Sequence, residues 1–440
     1  MRRLSVVAVL LLPLAAFAAN TAPANASAAT FAMAAPALDA YVGSYELAPG
    51  FVLTISRRGE QLYAQATGQG AAPIYESAKD QFFYKVVNAQ ISFERDAAGN
   101  VTGLVLHQNG DHPAPRMASA ASAVTAMAPA SATNWIAAAA VGTTTLPITV
   151  TRDGFVLKGV LDLPAGKGPF GVVDIIPGSG PVSLNGNDGP ITYSPYRKLA
   201  AALVEAGWAV ARVAKRGMAP STGNGNDVVF SDQLADNLAI VAALRKNPHI
   251  NPRLIVVAGH SLGGLIAPKL ATETKLAGLI LLEAPGEAMS RISTSQALAM
   301  SRQAGASATK LKAIAAEQNQ FYAAVAKAPP GQSVRFAGKT LQPDAVQLFK
   351  SWYAQKPLAT AREVTIPVLV VQGGLDFNVP PGNGKRLVKA LPHATLLLLP
   401  RMGHALDDAD CRCVRQLDTG KDATLAPGLA AGIVRWLQAL

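Results

Sequence analysis

At 440 residues, half of them hydrophobic and only 15% charged, the chain is long enough for one large domain with a substantial core plus a smaller one, which excludes a disordered protein. The formal charge of +11 comes with no nucleic-acid-binding motif, so it is read as a solvated basic face, or as a preference for anionic substrates or an anionic envelope surface. With only Cys411 and Cys413 present, no disulfide framework holds the fold together.

The chain opens "MRRLSVVAVLLLPLAAFAAN": two arginines, an apolar run from Leu4 and a small-x-small Ala16-Phe17-Ala18 before Ala19. This pattern predicts a signal peptide over residues 1–18 and export to the periplasm or beyond. A membrane anchor is the alternative, but the run is short and interrupted by Pro13. A lipoprotein is disfavoured because no cysteine follows the cleavage site, and no other stretch is long and apolar enough to span a bilayer. Removing the leader takes away Arg2 and Arg3 and leaves a charge of +9.

Residues 39–117 read as short alternating runs, "FVLTISRRGEQLYAQATG", "QFFYKVV" and "AQISFERDAAGNVTGLVLHQNG", split by Gly, Asn and Asp turns. They predict a small antiparallel sheet or barrel, with a hairpin at "AAGNVTGLVLHQNG". Residues 118–134 are an Ala/Ser-rich linker, and from Trp135 strands alternate with helices. "TTTLPITVTRDGFVLKGVLDLP" suggests an opening antiparallel pair; "GVVDIIPG", "WAVARV", "RLIVVAG" and "LAGLILLE" are short apolar strands between amphipathic helices, which implies a parallel sheet covered on both faces. Residues 286–360 show helical patterning only, with Leu311, Ile314, Phe321, Tyr322 and Val325 at helical spacing, and read as a lid over the strand ends. Ten Lys or Arg against four Asp or Glu between Pro285 and Glu363 concentrate the basic excess in this part of the chain. Phe349, Trp352 and Tyr353 could line an acyl pocket or simply pack the lid. Strands return with "VTIPVLVVQGG" and "HATLLLLP", and "GLAAGIVRWLQAL" closes the chain as a helix.

"VVAGHSLGGLIA" places Ser261 in a Gly-x-Ser-x-Gly segment between a strand and a helix, where a sharp turn would thrust its hydroxyl clear of the sheet. A serine nucleophile needs a base, and the base an orienting carboxylate. Of six histidines, His404 lies just beyond the final strand, at the sheet end where Ser261 should sit, whereas His107 and His112 belong to the small domain, His249 and His393 to the opposite end, and His260 adjoins the serine itself. Asp376 follows the preceding strand in a Gly-rich loop; Asp407 and Asp408 compete but follow the histidine. Oxyanion donors are expected at the Leu262 N–H and in "PGSGPVSLNGND", at Ser179 first and Gly178 second. The chemistry requires no cofactor and no metal; His404, Asp407, Asp408 and Asp410 match no standard ligand spacing. Bridging Cys411 to Cys413 would be strained, which predicts free thiols or a labile bond.

These residues resemble the α/β-hydrolase superfamily, specifically secreted esterases of the serine aminopeptidase-like group, over residues 145–440. The resemblance rests on "IPGSGP", "GND", "AKRGMAPSTGN", "GHSLGG", "IPVLVVQGGLDFNVPP" and "MGHAL". Those relatives usually carry Asp-Arg-Asp where this chain has Ser183, Leu184 and Asn185, and a glycine where it has Ala219. Residues 39–117, through "YVGSYEL" and "GLVLHQNG", resemble a small β domain appended to secreted penicillin-binding-protein-like serine hydrolases. The expected fold is thus an α/β-hydrolase domain with a helical lid, preceded by a small antiparallel β domain. The expected function is an exported serine hydrolase acting on small-molecule carboxylic esters through Ser261, His404 and Asp376. A peptidase or thioesterase with the same triad is the alternative, as is a non-catalytic hydrolase-like binding protein; the small domain could bind a partner or surface.

Overall fold

The computed structural model describes residues 38–48, 51–58, 61–66, 72–84, 89–108, 111–117, 136, 140–141, 144–187, 191–223, 225, 228–336, 339–413, 420 and 422–440. The expected leader, 1–18, and linker, 118–134, lie outside them. The described residues fall into two compact units, 38–117 and 136–440.

In the smaller unit the alternating sequence runs form a meander of eight strands: β1 (Gly43–Ala48), β2 (Phe51–Arg58), β3 (Gln61–Ala66), β4 (Ala72–Ala78), β5 (Gln81–Tyr84), β6 (Gln90–Arg95), β7 (Val101–His107) and β8 (Asp111–Pro115). A Tyr45–Arg116 bridge and a Met117 N–H donating to the Ser44 carbonyl at 2.8 Å bring the last strand back to the first, so this is a barrel rather than an open sheet. Arg116 reinforces the seam by donating to the carbonyls of Val101 and Val42. Eight strands enclose only enough room for side chains. Here Tyr41, Tyr45, Phe82 and Phe93 fill it in edge-on and tilted contacts.

The larger unit begins with β9 (Thr144–Arg152) and β10 (Phe155–Leu163), followed by β11 (Phe170–Ile176), α1 (Pro195–Glu205), β12 (Ala209–Val213), α2 (Phe230–Lys246), β13 (Ile250–His260), α3 (Gly263–Glu273) and β14 (Gly278–Leu282). After an inserted segment come β17 (Val368–Gly373), α8 (Gly382–Ala390), β18 (Ala394–Leu399) and α9 (Leu429–Leu437). The sheet order is β9-β10-β12-β11-β13-β14-β17-β18; only the pairings of β10 with β9 and with β12 are antiparallel. Period-two alternation sends Val172 and Ile176 of β11 to the face covered by α2 and α3, and Val173 and Ile175 to the face covered by α1 and α9. Because β12 lies on one side of β11 and β13 on the other, a crevice opens at the carboxyl ends of β11 and β13, the place where such sheets bind ligands.

The inserted segment holds α4 (Met289–Gln303), α5 (Ala308–Lys327), α6 (Pro343–Tyr353) and α7 (Pro357–Glu363). The sequence patterning predicts helices only over 286–360; this is corrected by β15 (Val334–Phe336) and β16 (Lys339–Leu341), which form a small antiparallel pair between α5 and α6. The helical spacing of Phe321 and Val325 builds a local core with Val334 and Val346, against which Phe336, Phe349 and Tyr353 pack. Phe349 stacks on Tyr353 and meets Trp352 edge-on, so these three aromatics are engaged in packing one another.

One residue on β11 conflicts with its surroundings. Asp174 is fully buried on the α2/α3 face, its Oδ2 has no hydrogen-bond partner among the described residues, and burial pushes its carboxyl up to about 7. The folded chain therefore holds this proton more tightly than the unfolded chain, and the resulting penalty on stability is absent below about pH 4 and complete above about pH 7. Asp174→Asn is expected to raise the stability of the larger unit by on the order of 2–4 kcal/mol at pH 8 and to leave it nearly unchanged at pH 4, as read by urea denaturation at both pH values.

Candidate active site

β13 ends at His260 and α3 starts at Gly263, so the chain must reverse within two residues. Ser261 makes that turn in the left-handed region, at φ 52°, with its N–H donating to the Leu282 carbonyl at 2.9 Å. A non-glycine residue there is strained and persists only where its surroundings impose it. The glycines two residues either side are required by contact: a Cβ on Gly259 would lie 2.3 Å from the Gly263 carbonyl oxygen, and one on Gly263 would lie 2.3 Å from that of Ile176. The turn projects the serine hydroxyl over the carboxyl end of the sheet.

Two loops from neighbouring strands meet it there. His404, beyond β18, places Nε2 3.1 Å from Ser261 Oγ, and its Nδ1 lies 2.9 Å from Asp376 Oδ2 in the loop after β17. Asp376 Oδ1 accepts the N–H groups of Asn378 and Val379 at 2.7 and 2.8 Å. Burial alone would push the Asp376 carboxyl up, but His404, together with hydrogen bonds from His404, Glu283 and Val379, outweighs it and holds the group below the usual aspartate range. An ionised Asp376 takes the Nδ1–H of His404, which leaves Nε2 as the acceptor for the serine proton. The competing carboxylates are placed otherwise: Asp408 pairs with Arg401 at 2.7 Å, and Asp407 is buried with its carboxyl pushed up to about 6 by that burial. Among the described residues, no cluster of His, Cys, Asp and Glu has the arrangement of a metal site, and Cys411 and Cys413 are joined as a disulfide.

Residues 192–407 match the family model described as serine aminopeptidase, S33, in the unit whose sheet order and strand-turn-helix serine have just been described. This unit has the α/β-hydrolase fold. Residues 29–118 match a family described as a domain of unknown function (DUF3471). The chain is 25% identical over 230 residues to Esterase EstD of Thermotoga maritima, an alignment that takes in 52% of each protein, so the chain spans about half the length of that relative. Among solved structures it is similar to Est1E of Butyrivibrio proteoclasticus (18% identity, 66% of this chain and 96% of that one, TM-score 0.43) and to the esterase domain of a Rhodothermus marinus protein (16%, 67% and 99%, TM-score 0.41).

The loop after β11 lies against the Ser261 turn: a Cβ on Gly178 would sit 3.2 Å from that of Ser261. Lys215, just past β12, donates to the carbonyls of Gly178 (2.8 Å) and Gly180. The far end of the loop is tied by the buried Arg212, which donates to Asn185 Oδ1 and pairs with Asp162 at 2.7 Å. Asn185, one of the departures from the relatives' usual pattern, thus serves to anchor this loop. Gly178 is not free to serve as an oxyanion donor, because its N–H donates to Tyr196 Oη at 3.3 Å. Ser179, the first expectation, sits next along the loop, half-buried. Leu262 is the N-cap residue of α3, so its N–H is among those a helix leaves unpartnered at its start.

Tyr196 leads to a connection that the sequence did not disclose. Its hydroxyl contacts His260 Nδ1 at 2.7 Å, and His260 Nε2 contacts the His404 carbonyl at 2.8 Å. A carbonyl only accepts, so Nε2 carries the proton, Nδ1 accepts from the Tyr196 O–H, and Tyr196 accepts from Gly178. Burial, aided by the nearby His404, pushes the His260 imidazole down to about 3, which keeps it neutral as this chain of bonds requires. The α1 tyrosine, the elbow and the loops bearing Gly178 and His404 are thereby locked together. A cleft of about 260 Å³ opens elsewhere, between α4 and α5; its lining of Glu287, Ser290, Arg291, Thr294, Asn319 and Tyr322 is polar and includes none of the three site residues. Tyr196→Phe strands a buried imidazole nitrogen and a buried N–H, and is expected to cost about 1–3 kcal/mol in the urea unfolding of the larger unit.

Proposed function

We propose that the protein is an exported serine hydrolase that cleaves small-molecule carboxylic esters through an acyl-serine intermediate. The observation that carries this reading is the pair of contacts made by one imidazole, 3.1 Å to Ser261 Oγ and 2.9 Å to Asp376. His404 takes the Ser261 proton as the hydroxyl attacks the ester carbonyl, and Asp376 stabilises the imidazolium that forms. The tetrahedral oxyanion is received by the Leu262 and Ser179 N–H groups. His404 returns the proton to the departing alcohol, then draws one from water as the acyl-serine is hydrolysed. The name of the Thermotoga relative supports an ester as the substrate, and the leader pattern over residues 1–18 supports export. In the mature protein the inserted segment, 286–360, would act as a lid. With its interior filled by aromatic rings, the barrel would meet any partner or surface on its outside.

Among the described residues no helix is long and apolar enough to cross a membrane. A peptidase is the second reading, favoured by the description of the family model that matches residues 192–407. The two readings separate on substrates. Short-chain p-nitrophenyl esters are expected to be hydrolysed and aminoacyl anilides not, with Ser261→Ala lowering kcat by about 10⁴-fold or more. Faster cleavage of the anilides would establish the peptidase, and turnover unaffected by the Ser261 change would remove both readings.

A further inference from the structure

β14 is apolar until its last turn, "GLILLE", and then places a glutamate inside the protein. Glu283 is fully buried, as is Asp376, and the two carboxyl groups lie within hydrogen-bonding reach of each other. Two carboxyl groups can share a hydrogen bond only if one of them keeps its proton. The other partners decide which. Asp376 accepts from three donors, the N–H groups of Asn378 and Val379 and His404 Nδ1. Glu283 has two, the Gly373 N–H at 2.6 Å on Oε1 and the Gln372 amide on Oε2. The better-solvated anion is Asp376, so the proton stays on Glu283. Glu283 sits at φ 48°, a left-handed conformation that a non-glycine residue keeps only where its surroundings impose it.

We propose that Glu283 is a positioning residue for the reaction: as a neutral acid it donates to the Asp376 carboxylate and holds it in the orientation that leaves Oδ2 for His404. This inference rests on the serine hydrolase reading above. It goes beyond the three-residue relay by adding a fourth member, placed behind the carboxylate and away from the substrate. Burial first, and then the neighbouring Asp376, push the Glu283 carboxyl well above the usual glutamate range, with Asp407 adding in the same direction. The titratable groups that face it are thus Asp376 and Asp407 and, through Asp376, His404.

Two variants test the role. Glu283→Leu removes the donor, and kcat toward a p-nitrophenyl ester is expected to fall roughly ten- to a hundredfold while KM stays within about twofold. Glu283→Gln keeps an N–H for Asp376 but gives up an acceptor used by Gln372 or Gly373. It is expected to restore kcat to within about threefold of the wild type while still unfolding at a lower urea concentration. Equal loss of kcat in both variants, or a loss expressed in KM, would mean that Glu283 only supports the fold. An infrared difference spectrum of wild type minus Glu283→Gln at pH 8 reads the proton itself, whether or not the protein turns over an ester. The carbonyl stretch of a protonated carboxyl is expected, and carboxylate bands in its place would overturn the proposal.

Discussion

Ser261 is held at φ 52° where β13 gives way to α3, and the rest of the site depends on that one strained residue. The turn is possible because the backbones of Gly259, Gly263 and Ile176 approach more closely than any Cβ would permit. Its conformational cost, about 1–3 kcal/mol for such a residue, is offset by the surrounding apolar strands and by the N–H to Leu282 carbonyl bond that ties the elbow to β14. A straighter connection would leave the hydroxyl among the side chains of the sheet. The bent one lifts it to the rim where the loops after β11, β17 and β18 converge.

Those loops are fixed to one another by polar groups withdrawn from water. On one side, Gly178, Tyr196, His260 and the His404 carbonyl form a directional series of hydrogen bonds that works only while His260 is neutral. On the other, Asp376 is ringed by donors and remains an anion in a buried setting. His404 belongs to both, its carbonyl to the first and its ring to the second. Buried polar groups are costly unless satisfied, so each network tolerates little displacement of its members. That restriction keeps a 3.1 Å contact between two side chains 143 residues apart in the chain.

Much of this was legible in the sequence because it depends on period and punctuation. Runs such as "RLIVVAG" and "LAGLILLE" can be little other than buried parallel strands, and the order of strands and helices then follows the rules for such sheets. Glycines flanking Ser261, with an aspartate and a histidine just beyond the last two strands, mark the ends of the sheet where side chains can meet. Other features left weaker marks. α8 begins "GNGK", glycines that argue against a helix. The β15–β16 pair is three residues long on each side, below the length at which alternation can be read. Tyr196 and Lys215 act through partners distant in sequence, so nothing local announces them. Asp174 and Glu283 did leave a signal, a charged residue in or at the end of an otherwise apolar strand, and in a buried sheet that pattern requires an explanation.

The central claim is that burial and strain make one serine out of the whole chain nucleophilic, with His404 as its base. Mass spectrometry of the purified protein after exposure to a fluorophosphonate measures this directly, since the reagent reacts with a serine only where an adjacent base activates it. A single adduct on the peptide carrying Ser261, absent from Ser261→Ala and strongly reduced in His404→Ala, is the result the account predicts. An unmodified wild-type protein, or an adduct on a different serine, would contradict it.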